Sequence, residues 1–303
     1  MKLVHKKIEV RQIVSEWHRR EGRVALVPTM GAIHEGHLSL IREARQHADH
    51  IVVSIFVNPT QFGPGEDFDK YPRTLNSDVD LCRNEGVSLV FAPDINEMYD
   101  SGGAGKENCL SFQITKMNEH LCGASRAGHF EGVLQVVNKL FNIVRPDVAV
   151  FGQKDIQQWF LIRQLVREGD HPVDMLMGEI VREDDGLAKS SRNSYLSPDE
   201  RKKAPLLIHT LQQISEEITK TRLASGQEQA SRIRSLFASG EKRLYEGGFK
   251  LDYLSLVSTP YLQPVSVIEP GQLYVIAVAA WLGNTRLIDN VLLKTGKSKN
   301  HDA

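Results

Sequence analysis

The sequence predicts an α/β protein in two parts, a parallel-sheet domain followed by a smaller C-terminal α+β domain. Three observations lead there. Short β-branched or apolar runs recur with amphipathic segments between them, the alternation from which parallel sheets are built. The 303 residues correspond to about two domains at roughly 150 residues each. After SRNSYLSPDE (191–200) the alternation gives way to helices and then strands, so the expected division is 1–190 and 191–303.

The expected strands of the first part are VALVPT (24–29), HIVVSIFV (50–57), VSLVFAP (87–93), DVAVFG (147–152) and PVDMLM (172–177). Between them, HLSLIREARQHA (37–48), HFEGVLQVVNKLFNIV (129–144) and IQQWFLIRQLVRE (156–168) carry apolar residues at three- and four-residue spacing. That is the mark of a helix burying one face, and a crossover between parallel strands needs about this length. SGGAGKEN (101–108) is expected to be a mobile surface loop. Ser197-Pro198-Asp199-Glu200 reads as an N-cap, a proline at the first helical position and acids in the first turn. Helices over 198–222 and 226–245 then lead to the strands DYLSLVS (252–258), LYVIAVAAWL (273–282) and TRLIDNVLL (285–293), with a disordered tail at 295–303.

Lys and Arg number 37 against 38 Asp and Glu, a net charge of −1, and 41% hydrophobic with 25% charged residues is ordinary for a globular chain. A general nucleic-acid binder would be more basic, so no nucleic-acid partner is expected. Cys82, Cys109 and Cys122 are odd in number and form no C-x-x-C pair, which disfavours a metal knuckle or a full disulfide framework. A reducing, cytoplasmic setting fits. The opening MKLVHKKIEV is interrupted by charges, no run approaches the ~18 apolar residues of a membrane span, and no membrane partner is expected.

The most informative stretch is VPTMGAIHEGHLSLI (27–41), where an apolar strand runs into Gly31 and Gly36, with His34 and His37 three apart as a helix begins. Loop glycines let backbone N–H groups approach a ligand, and a helix N-terminus favours negative charge. Three-residue spacing puts both imidazoles on one side. The result is a phosphate cradle; a tight turn with two surface histidines is the bland alternative, and the position after the first predicted strand favours the cradle. Asn58 and Gln61 in NPTQF follow another strand, where ligands of open α/β sheets are found, and their amides suit a small polyhydroxy acid. Pro59 and Gly63-Pro64-Gly65 make the continuation to Tyr71 and Pro72 a turn-rich loop able to act as a lid. In FGQKDIQQ (151–158), Gly152, Lys154 and Asp155 sit at a strand's carboxyl end, with Lys154 able to neutralise phosphate and Gln158 one helical turn beyond it. DGLAKSSRN (185–193) offers Ser190, Ser191 and Arg192 on a loop near the domain boundary. Arg126 and His129 in GASRAGHF either approach a substrate or serve as solvated helix-start residues.

TMGAIHEGH resembles the H-x-G-H signature of the nucleotidylyltransferase superfamily. Within it the chain resembles the pantothenate synthetase family, also called pantoate–β-alanine ligases, through an ordered set of blocks: 53–78, 123–133, 151–158, 185–197 and LGNTRLIDN at 282–290. The resemblance implies a Rossmann-like nucleotide- and pantoate-binding domain and a C-terminal lid domain. It implies ATP contacts from Met30, Gly31, Ala32, Ile33, His34, Glu35, Gly36 and His37, and from Gly152, Gln153, Lys154 and Asp155. Further contacts come from Val181 near the adenine and from Lys189, Ser190, Ser191 and Arg192, although lysine at 189 departs from an apolar family position. Gln61 and Gln158 are the implied pantoate glutamines, joined by Asn58; Gln61 also serves β-alanine. Asp78 is the carboxylate expected near magnesium, with Ser77 where relatives can carry another acid.

The implied reaction joins (R)-pantoate to β-alanine with conversion of ATP to AMP and diphosphate, through a pantoyl adenylate and with Mg²⁺, in a homodimer. His34, His37 and Lys154 are the expected catalytic residues, stabilising charge more than donating a discrete proton. Two other readings share parts of the pattern. A transferase that moves AMP to a phosphorylated acceptor and stops would share the histidine motif but leaves the glutamine pair without a purpose. A nucleotide- or RNA-binding module is disfavoured by the near-neutral charge.

Overall fold

Strands form where β-branched residues cluster. A computed structural model describes residues 1–99, 110–220 and 226–296; the expectations for 101–108, 221–222 and 297–303 lie outside the described residues. In chain order the first elements are β1 (Lys2–Val4), α1 (Lys7–Arg19), β2 (Val24–Thr29), α2 (Glu35–Ala44), β3 (His50–Ile55), a 3₁₀ turn (Pro59–Gln61), α3 (Leu75–Asn84), β4 (Leu89–Phe91) and α4 (Ile95–Met98). They continue with α5 (Cys122–Ser125), α6 (His129–Val144), β5 (Val148–Gly152), a 3₁₀ turn (Gln153–Asp155), α7 (Ile156–Glu168) and β6 (Asp174–Gly178). A 3₁₀ turn (Ser191–Tyr195), α8 (Pro198–Lys203), α9 (Leu206–Lys220), α10 (Gln227–Glu246), β7 (Lys250–Ser258), β8 (Leu273–Leu282) and β9 (Thr285–Lys294) complete the described chain.

The chain falls into two compact units. The first, Met1–Ile114, Arg126–Gln153 and Gln158–Val181, holds a six-stranded sheet in the order β1-β4-β3-β2-β5-β6, with every pairing parallel. β2 and β3 run in register from Val24 opposite His50 to Thr29 opposite Ile55. Val24–Val27, Ile51–Val53 and Val148–Val150 are all buried, which is why these strands read as continuous apolar runs instead of alternating ones. Strand order runs outward in one direction from β2 and in the other from β5. The switch point of an open α/β sheet, where ligands bind beyond the carboxyl ends, therefore lies between Met30 and Gly152.

The second unit gathers Thr115–Ser125, Lys154–Gln157 and the chain from Arg182 onward. Its three antiparallel strands, in the order β7-β8-β9, pack Leu256, Ile276, Val278 and Leu287 against Leu207, Ile208 and Leu211 of α9. The helix expected to run unbroken through 198–222 is interrupted between α8 and α9 at Pro205, which has no N–H to continue the hydrogen-bond ladder. The boundary falls at Arg182, ahead of the expected 190/191 division, because 182–188 folds back as a hairpin (Glu183 N–H to Leu187 C=O, 2.8 Å) whose Arg182 pairs with Asp289. Among the described residues no helix is long and apolar enough to cross a membrane.

Candidate active site

β2 ends at Thr29, whose Oγ1 donates to the Ser54 carbonyl (2.9 Å) and accepts from the Gly31 N–H (3.2 Å). The chain then turns through Gly31 at φ +84° and Ala32 at φ +50°. Left-handed backbone costs a residue with a Cβ roughly 1–2 kcal/mol, so Ala32 needs an external hold. Asp78 of α3 provides it. Its carboxylate accepts from the Ala32 N–H (3.1 Å), the Ile33 N–H (2.9 Å) and Thr74 Oγ1 (3.2 Å), and the residue is 1% exposed. A Cβ on Gly31 would stand 3.0 Å from Asp78 Oδ2, so glycine is required there twice over. Asp78, expected to lie near magnesium, anchors the loop here: each of its oxygens accepts from one loop N–H.

The anchored loop delivers the two histidines to the start of α2. His34 is the N-cap, and its Nδ1 accepts from the Gly36 N–H (3.1 Å); His37 Nδ1 accepts in turn from the His34 N–H (3.3 Å). The rings lie 4.1 Å apart between centroids. With Nδ1 accepting in both, each neutral imidazole carries its proton on Nε2, so the capping contacts themselves set two N–H donors beside a helix N-terminus that already favours anions. Glu35 turns aside to pair with Arg42.

A second cluster forms at the carboxyl end of β3. Asn58 is 1% exposed and uses its whole amide: Nδ2 donates to Gln61 Oε1 (3.2 Å) and to the Gly132 carbonyl (3.1 Å). Its Oδ1 accepts from Thr60 Oγ1 (2.9 Å) and Tyr99 Oη (2.7 Å). Burial pushes the Tyr99 phenol up to about 12, so it stays protonated and remains a donor. Asn58, expected to touch substrate, is thus the scaffold that orients Gln61. Gln61 Nε2 points at Met30 Sδ (3.1 Å), a weak acceptor that a substrate oxygen would displace with gain. Helix α6 approaches this turn so closely that a Cβ on Gly132 would lie 2.3 Å from the Thr60 carbonyl oxygen; only glycine fits.

The loop after Gln61 has a core of its own, with Phe62 packed edge-on to Phe68 and Tyr71. Glu66 and Arg126 form a two-point pair, 2.7 Å at each contact. Burial alone would raise the Glu66 carboxyl, but the hydrogen bonds and charge of Arg126 outweigh it and hold it below the ordinary range. Arg126 Nη1 donates to His129 Nε2 (2.9 Å), and His129 Nδ1–H donates to the Gln61 carbonyl (2.7 Å). Of the two readings of Arg126 and His129, the geometry favours support: they tether the loop to the Gln61 backbone.

In the second unit, Lys154 lies in the 3₁₀ turn before α7, and Asn290 Nδ2 donates to its carbonyl (3.1 Å). Asp155 is exposed. The buried Gln157 spans Met117 and His120 carbonyls (2.7 and 2.9 Å) and the Gly123 N–H (3.3 Å), a role that no sequence pattern announced. Ser190 caps the Ser191–Tyr195 turn by accepting from the Arg192 N–H (3.3 Å), which presents Ser191 and Arg192 in a tight turn. Lys189 pairs with Glu183 (3.4 Å). Gly152, Gln153, Gln158 and Val181, in the first unit, are half-buried.

A family model described as Pantoate-beta-alanine ligase matches residues 2–292. The chain is similar to a pantothenate synthetase of Alcanivorax borkumensis, 46% identical over 97% of this chain and 98% of that one, and to one of Thermotoga petrophila, 44% identical over 97% and 100%. Among solved structures, pantothenate synthetase from Thermus thermophilus aligns with TM-score 0.84 at 40% identity, covering 97% of this chain and 100% of that one. The pantoate-beta-alanine ligase of Francisella tularensis, complexed with β,γ-ATP and β-alanine, aligns with TM-score 0.73 at 31% identity over 98% and 99%.

Proposed function

This chain belongs to the pantoate-beta-alanine ligase family, and from that premise we propose how its residues carry out the ATP-dependent condensation of pantoate with β-alanine. The observation that carries the reading is the anchored loop of the first unit: Asp78 holds Ala32 and Ile33 so that His34 and His37 present Nε2 donors at the N-terminus of α2. Such preorganised donors stabilise charge without reorganising during reaction.

A carboxylate is a poor acyl donor because oxide would have to leave. In the proposed route a pantoate carboxylate oxygen attacks the α-phosphorus of ATP, forming an acyl-phosphate bond as the bond to the diphosphate breaks and its electrons pass to the leaving oxygen. His34 and His37 offset the growing phosphate charge. Lys154, Ser190, Ser191 and Arg192 are taken as the second unit's phosphate contacts, Gly152–Asp155 and Val181 as nucleotide contacts. The β-alanine amine then attacks the pantoyl carbonyl and expels AMP, giving the amide after loss of a proton. Gln61, oriented by Asn58, and Gln158 read pantoate, Gln61 through the Nε2 that faces Met30.

Mg²⁺ fits this chain as part of the nucleotide substrate, MgATP, since magnesium is commonly held by substrate phosphates and waters with few protein ligands and Asp78 is otherwise committed. No step is assigned to it. A cytoplasmic setting is supported by the free thiols of Cys82 and Cys122; burial raises the Cys82 thiol to about 12, which keeps it inert. A homodimer rests on the family resemblance, and sedimentation tests it. The deciding experiment mixes purified protein with ATP, pantoate and β-alanine and measures pantothenate and AMP. Exchange of labelled diphosphate into ATP with pantoate alone is expected; exchange that requires β-alanine excludes the adenylate route.

A further inference from the structure

The motif LGNTRLIDN (282–290) is unused by the reaction as described, yet its last two residues are among the few buried polar side chains of the second unit. On β9, Asp289 and Asn290 stand opposite Val278 and Ala277 of β8 and are 3% and 1% exposed. A sheet built for stability alone would carry apolar residues at such places, since a buried carboxylate is costly unless paired, and replacing a buried pair by apolar residues is often neutral or favourable.

We propose that Asp289 and Asn290 are positioning residues for the nucleotide-phosphate contacts of the second unit, Asn290 acting on Lys154 and Asp289 acting through Arg182 on the loop that carries Ser190, Ser191 and Arg192. This rests on the phosphate-binding role given above to Lys154 and that loop. Asn290 Nδ2 donates to the Lys154 carbonyl at 3.1 Å, a bond joining residues 136 apart in sequence. Asp289 accepts from Arg182 Nη1 at 2.7 Å and Nη2 at 3.0 Å, the planar two-point match that fixes direction as well as charge. The same Asp289 Oδ1 accepts from the Asn290 N–H at 2.8 Å, so the two arms share one carboxylate. Arg182 Nη1 also donates to the Gly186 carbonyl at 3.0 Å, closing the 182–188 hairpin. Asn193 Nδ2 reaches back to the Ala188 carbonyl at 3.0 Å, which ties the Ser190–Arg192 turn to that hairpin. One buried carboxylate therefore sets the backbone of the lysine and the base of the serine-arginine turn together, within a single unit.

The test is calorimetry of the intact enzyme with ATP and with pantoate separately, on Asn290→Ala, Lys154→Ala, the double variant and Asp289→Asn, supported by steady-state KM and kcat. Loss of one hydrogen bond of this kind predicts roughly tenfold weaker ATP binding in Asn290→Ala, with pantoate affinity within twofold of wild type. In the Lys154→Ala background the same substitution should have almost no effect on ATP affinity: the backbone carbonyl that Asn290 holds is still there, but the ammonium it positions is gone. Equal weakening of both ligands, or full additivity in the double variant, overturns the proposal. Lys154→Ala with unchanged ATP affinity instead removes Lys154 from the phosphate site, and overturns the Asn290 arm along with that parent assignment. Should Asn290→Ala fail to fold, Asp289→Asn decides: it keeps an acceptor for the Asn290 N–H and loses the charge facing Arg182. Weaker ATP binding with pantoate unchanged supports the proposal, and unchanged ATP binding overturns it.

Discussion

Asp78→Asn separates an anchor from an ion ligand. The wild-type carboxylate accepts from two backbone N–H groups and one hydroxyl at 2.9 to 3.2 Å in a position only 1% exposed. The amide has nearly the same volume, so no cavity forms. It presents one oxygen, which keeps the Ile33 contact without its charge, and turns an NH₂ toward the Ala32 N–H, donor facing donor. Hydrogen bonds to a charged acceptor contribute about 1.5–3 kcal/mol each, and a buried donor left unpaired costs about 1–3 kcal/mol. The expected loss is therefore about 3 kcal/mol, or a fall of about 6–12 °C in Tm for a cooperative unit of this size. Ala32 would relax from its left-handed conformation and carry His34 and His37 with it, so ATP affinity should fall while the Mg²⁺ concentration for half-maximal rate stays where it was. Differential scanning calorimetry and a Mg²⁺ titration of the rate at saturating ATP measure both quantities. Unchanged stability with a markedly higher Mg²⁺ requirement would refute the anchor and restore Asp78 as an ion ligand.

His37→Ala removes one of the two Nε2 donors and should slow adenylate formation by about 10²–10³ with little loss of stability; near-normal single-turnover adenylate formation would count against its role. Gln158→Ala should raise the pantoate requirement and leave ATP binding alone, and equal weakening of the two by calorimetry would show the division of labour to be wrong. Arg126 lowers the folded-state value of Glu66, so the stability that this pair contributes is complete above the unfolded glutamate value of about 4.3 and is lost as pH falls through the lower folded one. The difference in urea midpoint between wild type and Glu66→Gln should consequently close on acidification from pH 7 to below about 4; a difference independent of pH would mean that the Arg126 contact stabilises nothing.

The alternation of apolar runs and amphipathic segments was sufficient for the fold class because burial on both faces leaves a continuous signature in the central strands. β2, β5, α6 and α7 begin and end within about a residue of where the pattern puts them. β1 escaped the pattern because its three residues, Lys2–Val4, are too few to show a period and acquire strand geometry only by pairing with β4. Helix α1 escaped because its buried stripe reduces to Val10 and Val14 among charged neighbours.

The residue types of the site were legible on the same terms. A strand, glycines and two histidines three apart carry a local message, since each contact that sets them lies within a few residues: His34 caps Gly36, and His37 caps His34. The division of labour among the polar residues was not local. Asp78 reads as a metal carboxylate in sequence and becomes an anchor only because the fold brings Ala32 and Ile33, 46 and 45 residues away, against it. Asn58 reads as a ligand and becomes a scaffold because Gly132 and Tyr99 consume its amide. Asp289 and Asn290 gain their targets across 107 and 136 residues. Periodicity and short motifs report burial and local hydrogen bonding, so they determined the fold class, the glycine-histidine turn and the candidate residues; which polar residues hold others in place across the fold was decided by long-range pairing, because a polar group's role depends on which donors and acceptors reach it first.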